Sequence, residues 1–213
     1  MIFSHSAIET LRLSIKDMMS QGRYQHTLGV EKMANYIGGI LLPQKSSELS
    51  VAALLHDITK EMSYEEQLLL LQSSDLTCTE EDLQTKPALH SFSAVPFIKD
   101  NYEEYATQDI LSAVLNHTLG AYGMSLFDEI IFISDYSEEG RKHPACIEVR
   151  EYLIENLCNN KAFEENVSIL HKASIMAINS TIHSILQRGD KVNSKTFLTK
   201  KFFDDIISKL SIY

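Results

Sequence analysis

Apolar residues recur at helical spacing through nearly all of this chain, and that pattern confines it to an all-α fold. The stripe His26, Val30, Met33, Ile37 and Leu41 falls near i, i+4, i+7, i+11 and i+15, and Pro43 ends it. Ser6-x-x-Glu9 reads as a capping box opening a first helix that runs to near Gly22. Further helices are predicted over about 24–42, 47–56, from Ser63-x-x-Glu66 onward, 90–99 with a kink at Pro96, 108–117, 126–136, 147–156, 164–187 and 194–210. The polar stretch 73–86 reads as a loop. The β-branched run Ile130-Ile131-Phe132-Ile133 would suit a strand, but its neighbours are helical, so it is assigned to a helix. The expected architecture is a globular bundle of about nine or ten helices.

Four prolines, eight glycines and no long polar linker argue for one domain over the 213 residues. An apolar share of 44% is enough for a sizeable core. The net charge of -10 disfavours a long nucleic acid as partner, while a few local cations would still hold a small anion. Cys78, Cys146 and Cys158 form no C-x-x-C pair and are odd in number, against both a disulfide framework and a thiolate zinc site. The first twenty residues lack the pattern of a signal peptide, and apolar runs such as Val51 to Leu55 are too short to span a membrane. A reduced, cytoplasmic compartment is the expectation.

The histidines and aspartates carry the chemistry. His26 lies on the apolar face of the second helix, and His56-Asp57 ends the run Val51-Ala52-Ala53-Leu54-Leu55. His90 begins a helix, His117 closes the stripe Ile110-Ala113-Val114, and Asp135 follows Ile131 by four residues. A carboxylate where an inward stripe meets a helix end is costly unless paired or metal-bound. Read singly, each has a plainer explanation: a core histidine, or an aspartate in a helix-end turn. Read together, four imidazoles and two carboxylates suit iron, manganese, cobalt or zinc. Six ligands are too many for one ion that must also hold water and substrate, whereas two ions bridged by Asp57 would use them all and could activate a shared water toward phosphorus. His5, His171 and His183 lack this context, and His143, after Arg141-Lys142, is ambiguous.

These residues resemble the HD-domain phosphohydrolases, and within them the YqeK-like group of symmetrical bis(5'-nucleosyl)-tetraphosphatases. The resemblance covers roughly residues 20–185 and is carried by Arg23 to Val30, Ala53 to Lys60, Leu89-His90-Ser91, Asn116 to Gly120, Met124 to Asp128, and Ile131 to Tyr136 through Glu139-Gly140-Arg141. Departures from the group stand at Ala53, Ser91, Leu119 and Glu139, where it tends to have glycine, glycine, threonine and proline. The resemblance implies an HD phosphohydrolase domain over 1–190 with a helical extension of the same domain over 191–213. It implies that His26, His56, Asp57 and Asp135 hold one metal, and that Asp57, His90 and His117 hold a second, with iron in both. The implied reaction is cleavage of diadenosine tetraphosphate into two ADP by a hydroxide bridging the metals.

Asp57 and Lys60 are the catalytic candidates, and Arg23, Lys60, Thr118, Arg141 and His143 the substrate-binding ones. Lys60 lies one helical turn beyond His56, Arg23 three residues before His26, and Arg141 could grip phosphate bidentately. ADP leaves as a stable anion, so a strong general acid is not obligatory. Two other readings stay open: an HD-type nucleotidase acting on nucleoside mono- or triphosphates, and a non-catalytic nucleotide-binding HD module. The partner is in each case a small dinucleotide or nucleotide rather than nucleic acid or membrane, and the oligomeric state is open, a homodimer included.

Overall fold

Helices dominate as the apolar spacing requires. The computed structural model describes residues 2–210, with side chains through 208, and these form eleven α-helices and three short 3-10 turns without a strand. At the centre lies α3 (Ser46–Leu55), whose residues from Leu49 to Leu55 are buried on every side. A helix that is apolar all round can only be a core element. Burial of side chains such as Leu54 and Leu55 contributes about 1.5–3 kcal/mol each.

Around it pack α1 (His5–Lys16), α2 (Gln21–Leu41), α7 (Gln108–Asn116) and α8 (Leu126–Ser137). The closest of these is α2, where Gly38 leaves room for the Leu49 side chain against the helix backbone. Outside them α4 (Tyr64–Gln72) packs on α6 (Leu89–Asn101), and α9 (Pro144–Asn156) packs on α10 (Phe163–Gln187). The short α5 (Glu80–Gln84) rests against α6, and α11 (Ser194–Leu210) lies along α10 with Phe203 fully buried. No described helix is long and apolar enough to cross a membrane.

Several boundaries depart from the sequence reading. The cap of α1 is Ser4, whose hydroxyl accepts from the Ala7 amide, while Glu9 pairs with Arg12 instead of closing a box with Ser6. That helix stops at Lys16. Ser20 starts α2 by accepting from the Arg23 amide, and Glu61 holds Ser20 in place, so Gly22 sits in the first turn of α2 rather than at the end of α1. The Ser63–Glu66 capping box is present. Within the expected loop 73–86, Thr79 and Asp82 form a second box that starts α5. Asp82 can nucleate so short a helix because Lys195 of α11 binds it at 2.7 Å. Ile130 to Ile133 are helical within α8, and Pro96 is accommodated inside α6. Residues 211–213, the end of the expected extension, lie outside the described residues.

Candidate metal centre

Five helices deliver the six candidate ligands to one place. His56 and His117 occupy equivalent positions, each just past the last turn of its helix, α3 and α7. There each ring donates Nδ1–H back to its own helix, to the Ala53 carbonyl at 2.6 Å and the Val114 carbonyl at 2.7 Å. Helix C-termini leave carbonyls without intrahelical partners, so these bonds satisfy the helix ends. They also fix the tautomer and leave Nε2 bare and directed inward. The residue after His56 is Asp57, placed by the same turn.

The two oxygens of Asp57 face different imidazole pairs. Oδ2 lies 3.5 Å from Nε2 of His26 and 3.4 Å from Nε2 of His56. Oδ1 lies 3.0 Å from Nε2 of His90 and 3.5 Å from Nε2 of His117. Asp135, from the last turns of α8, adds Oδ1 at 3.0 Å from Nε2 of His26 and 3.9 Å from His56. His90 and His117 approach each other, Nε2 to Nε2, at 2.9 Å. The structure thus brings together all six residues that the sequence singled out.

This donor set fits divalent cations. Among the described residues, three overlapping groups could hold an ion: His26-His56-Asp57, His56-His117-Asp135 and Asp57-His90-His117. Nε2 of His26 and of His56 are buried and receive no hydrogen bond from the protein. Buried polar atoms are ordinarily bonded, and an ion is one of the few partners that explains such exceptions. All the donors are nitrogen and oxygen, as borderline divalent metals prefer.

The electrostatics follow from crowding. Burial pushes Asp57 up, but His56, His117 and His26 outweigh it and hold the carboxyl well below its usual range. Burial likewise opposes ionisation of Asp135, and Arg141 and His26 overcome it. His90 is driven down to about 4, chiefly by burial, despite Asp57 beside it, so it is neutral near pH 7. At His26 burial is outweighed by the nearby carboxylates of Asp135, Asp57 and Glu138, which raise it to about 10. A metal ligand must be neutral imidazole, so an ion entering at His26 displaces a proton.

The flanking cations divide. Arg23 donates to Oδ2 of Asp57 at 2.5 Å, and Arg141 to Oδ1 of Asp135 at 2.5 Å. Lys60 places Nζ 3.1 Å from Nδ1 of His90 and 3.1 Å from the Pro87 carbonyl; burial lowers its pKa. The Thr118 hydroxyl lies 3.2 Å from Nε2 of His90. His143 is not brought in: it is exposed, caps α9 by accepting from the Ala145 amide, and has no hydrogen bond or ion pair to the cluster among the described residues.

One buried participant, Glu138, escaped the sequence reading. It accepts from Nδ1 of His26 at 3.2 Å and also from the Gly140 amide. Its signal was present but weak. An acid just past a helix C-terminus opposes the dipole and needs a partner to compensate. Arg150 of α9 also binds the carbonyls of Ser137, Glu138 and Arg141, which shapes this turn; no sequence pattern marks it.

Comparisons with known proteins agree with this geometry. A model of the HD domain matches residues 23–140, a span containing all six clustered residues. The chain is 28% identical over 189 residues to a protein of Bacillus subtilis named bis(5'-nucleosyl)-tetraphosphatase, symmetrical, covering 87% of this chain and 91% of that one. It is 27% identical over 190 residues to a protein of the same name from Halalkalibacterium halodurans, covering 87% and 90%. Among solved structures, a Clostridium acetobutylicum protein described as a predicted HD superfamily hydrolase involved in NAD metabolism superposes with a TM-score of 0.78 at 24% identity, over 96% of this chain and 99% of the other. That last likeness concerns the fold. With the family model matched over more than half of its length, this chain belongs to the HD domain family.

Proposed function

We propose that this chain is a phosphohydrolase that cleaves diadenosine tetraphosphate symmetrically, adding water at one central phosphorus and releasing two ADP. The observation that carries the reading is the division of Asp57, with Oδ2 toward His26 and His56 and Oδ1 toward His90 and His117. A carboxylate so placed suits a bridge between two cations. His26, His56, Asp57 and Asp135 would hold one, and Asp57, His90 and His117 the other. Two divalent ions, iron by preference and manganese, cobalt or zinc compatibly, would supply Lewis acidity and a readily ionised water. The names of the relatives from Bacillus subtilis and Halalkalibacterium halodurans support this substrate over other phosphoesters.

The chain's own groups provide the phosphate contacts. Arg23 and Arg141 each already bind a carboxylate oxygen of the cluster, and a phosphate offers the same planar fork an equivalent pair of acceptors. Lys60 stands beside His90 as a point charge for an inner phosphate, and Thr118 offers a hydroxyl on the same side. The departing ADP carries its own charge, so no group need protonate it.

Metal analysis of anaerobically purified protein, together with product chromatography on a panel of dinucleoside polyphosphates, tests the proposal. Two ADP per diadenosine tetraphosphate is the expected result. AMP plus ATP, the products of asymmetric cleavage, overturns the symmetric reading, and turnover of mononucleotides alone overturns it in favour of a nucleotidase. Tight nucleotide binding without turnover by metal-replete protein overturns it in favour of a binding module.

A further inference from the structure

Three of the four clustered imidazoles are held from behind by an acceptor at Nδ1: a carbonyl of their own helix for His56 and His117, and Glu138 for His26. His90 has no such acceptor at Nδ1 among the described residues. Nζ of Lys60 lies 3.1 Å from its Nδ1 and 3.3 Å from its Nε2, so the amine runs along the ring and favours neither nitrogen. An ammonium only donates, and it cannot receive a ring N–H. His90 is also the second residue of α6, and the start of that helix has no side-chain cap. Its place is set through the main chain instead. The Thr59 hydroxyl donates to the His90 carbonyl at 2.9 Å and lies 2.8 Å from Oγ of Ser93, one turn along α6. Oγ of Ser93 lies 3.4 Å from Oε1 of Gln67 on α4, whose Nε2 donates to the Met62 carbonyl at 2.9 Å. The bonds thus begin and end in the segment 59–62, and Thr59, Ser93 and Gln67 are all buried. A buried polar network whose members are bonded rigidifies the elements it joins.

We propose that Thr59 is a positioning residue for the cation assigned to Asp57, His90 and His117: by holding the His90 carbonyl, its hydroxyl sets Nε2 of His90 against Oδ1 of Asp57. The inference rests on the two-cation part of the proposed function and on no choice of substrate. Thr59 stands two residues beyond Asp57, and the Lys60 amide closes the turn between them by donating to the Asp57 carbonyl at 2.9 Å. One short bonded segment therefore carries Asp57 and grips His90, with Oδ1 and Nε2 3.0 Å apart. The bonds that orient His26 and His56 do not involve Thr59, so losing its hydroxyl leaves the ligands of the other cation as they are.

Calorimetric titration of the metal-free, full-length protein with manganese tests the role. The wild type is expected to take up two ions per chain. Thr59→Val, nearly isosteric, should weaken one of them by at least about tenfold and leave the other unchanged. His90→Ala should weaken that same ion, and adding Thr59→Val to it should cost little more, because both changes act on one ligand. Thr59→Ser keeps the hydroxyl and should restore two-ion uptake, which a role in packing the threonine methyl would not do. Unchanged affinity for both ions in Thr59→Val, equal loss of both, or failure of Thr59→Ser to restore uptake overturns the inference. Circular dichroism checks folding, and if Thr59→Val does not fold, Ser93→Ala decides: it removes the hydroxyl that braces Thr59 and should weaken the same ion alone. A wild type that takes up two ions and loses one in Thr59→Val, but cuts no dinucleoside polyphosphate, supports the role of Thr59 while refuting the proposed function. Cleavage of diadenosine tetraphosphate by a wild type whose ion uptake Thr59→Val leaves unaltered does the reverse.

Discussion

Glu138 and His26 are separated by 112 residues in sequence, yet the Glu138 carboxylate receives Nδ1–H of His26 at 3.2 Å. The bond turns Nε2 of the same ring toward Asp57 and Asp135. Carboxylates behind ligand imidazoles fix ring orientation and raise basicity. Glu138→Ala should therefore weaken metal binding by about 10–100-fold while leaving helical content unchanged. Glu138→Gln, which can still accept through its amide oxygen, should restore part of that affinity. Metal titration monitored by competition with a chelating dye measures both, and undiminished affinity in Glu138→Ala would refute the orienting role.

Asp57→Ala removes the one carboxylate that faces all four imidazoles. We expect metal content to fall and hydrolysis to drop below detection, with circular dichroism unchanged. Elemental analysis alongside the product assay gives the answer, and an active, metal-replete variant would sink the two-metal proposal.

Gly120 adopts φ 69° in the turn that follows His117 and Thr118, with the Thr199 side chain close against its α-carbon. A side chain there meets both the left-handed backbone penalty and Thr199. Gly120→Ala should destabilise the protein by about 1–3 kcal/mol in urea unfolding. The same substitution displaces the turn that carries Thr118, so substrate KM should rise as well.

Asp82 ties α5 to α11 through Lys195, and it accepts from the Thr79 amide to start its own helix. Burial pushes its pKa up, but Lys195 and the Thr79 bonds prevail and hold it below its ordinary value. A carboxyl depressed in the folded state stabilises above its unfolded pKa, and that contribution disappears as pH falls through the folded one. Asp82→Asn should cost about 1–3 kcal/mol at pH 7. The gap between variant and wild type should close as pH falls below the ordinary aspartate range. Thermal melts across pH 7 to 3 read it directly, and a gap that stays constant would contradict the assignment.

Metal bound only by the folded chain adds stability by mass action, about 2.7 kcal/mol at a free concentration 100 times Kd. Chelation should lower Tm, and readdition of manganese or ferrous ion should restore it. In Asp57→Ala the melting curve should no longer respond to either. A wild-type Tm indifferent to chelator would argue against an ion at this cluster.

Much of the molecule could be read from residue order. The helical period placed α6, α7, α8, α10 and α11 because their apolar stripes are long and their ends are marked by caps, proline or polar turns. The errors lay where short-range alternatives compete. Ser4 and Ser6 both suit a cap, and the choice fell to Ser4. The helix at Glu80–Gln84 is too short to show a period and forms where Asp82 meets a lysine 113 residues away.

The sequence by itself determined the all-helical class and the identities of the six residues that cluster. Residue type, apolar context and helix-end position are local properties that survive in one dimension. Only the tertiary structure decided which oxygen of Asp57 faces which imidazoles, that Glu138 backs His26, that His143 caps a helix, and that Lys195 of α11 pairs with Asp82. Each of those depends on side chains from different helices meeting within a few ångströms, and the packing of whole helices around α3 sets those distances.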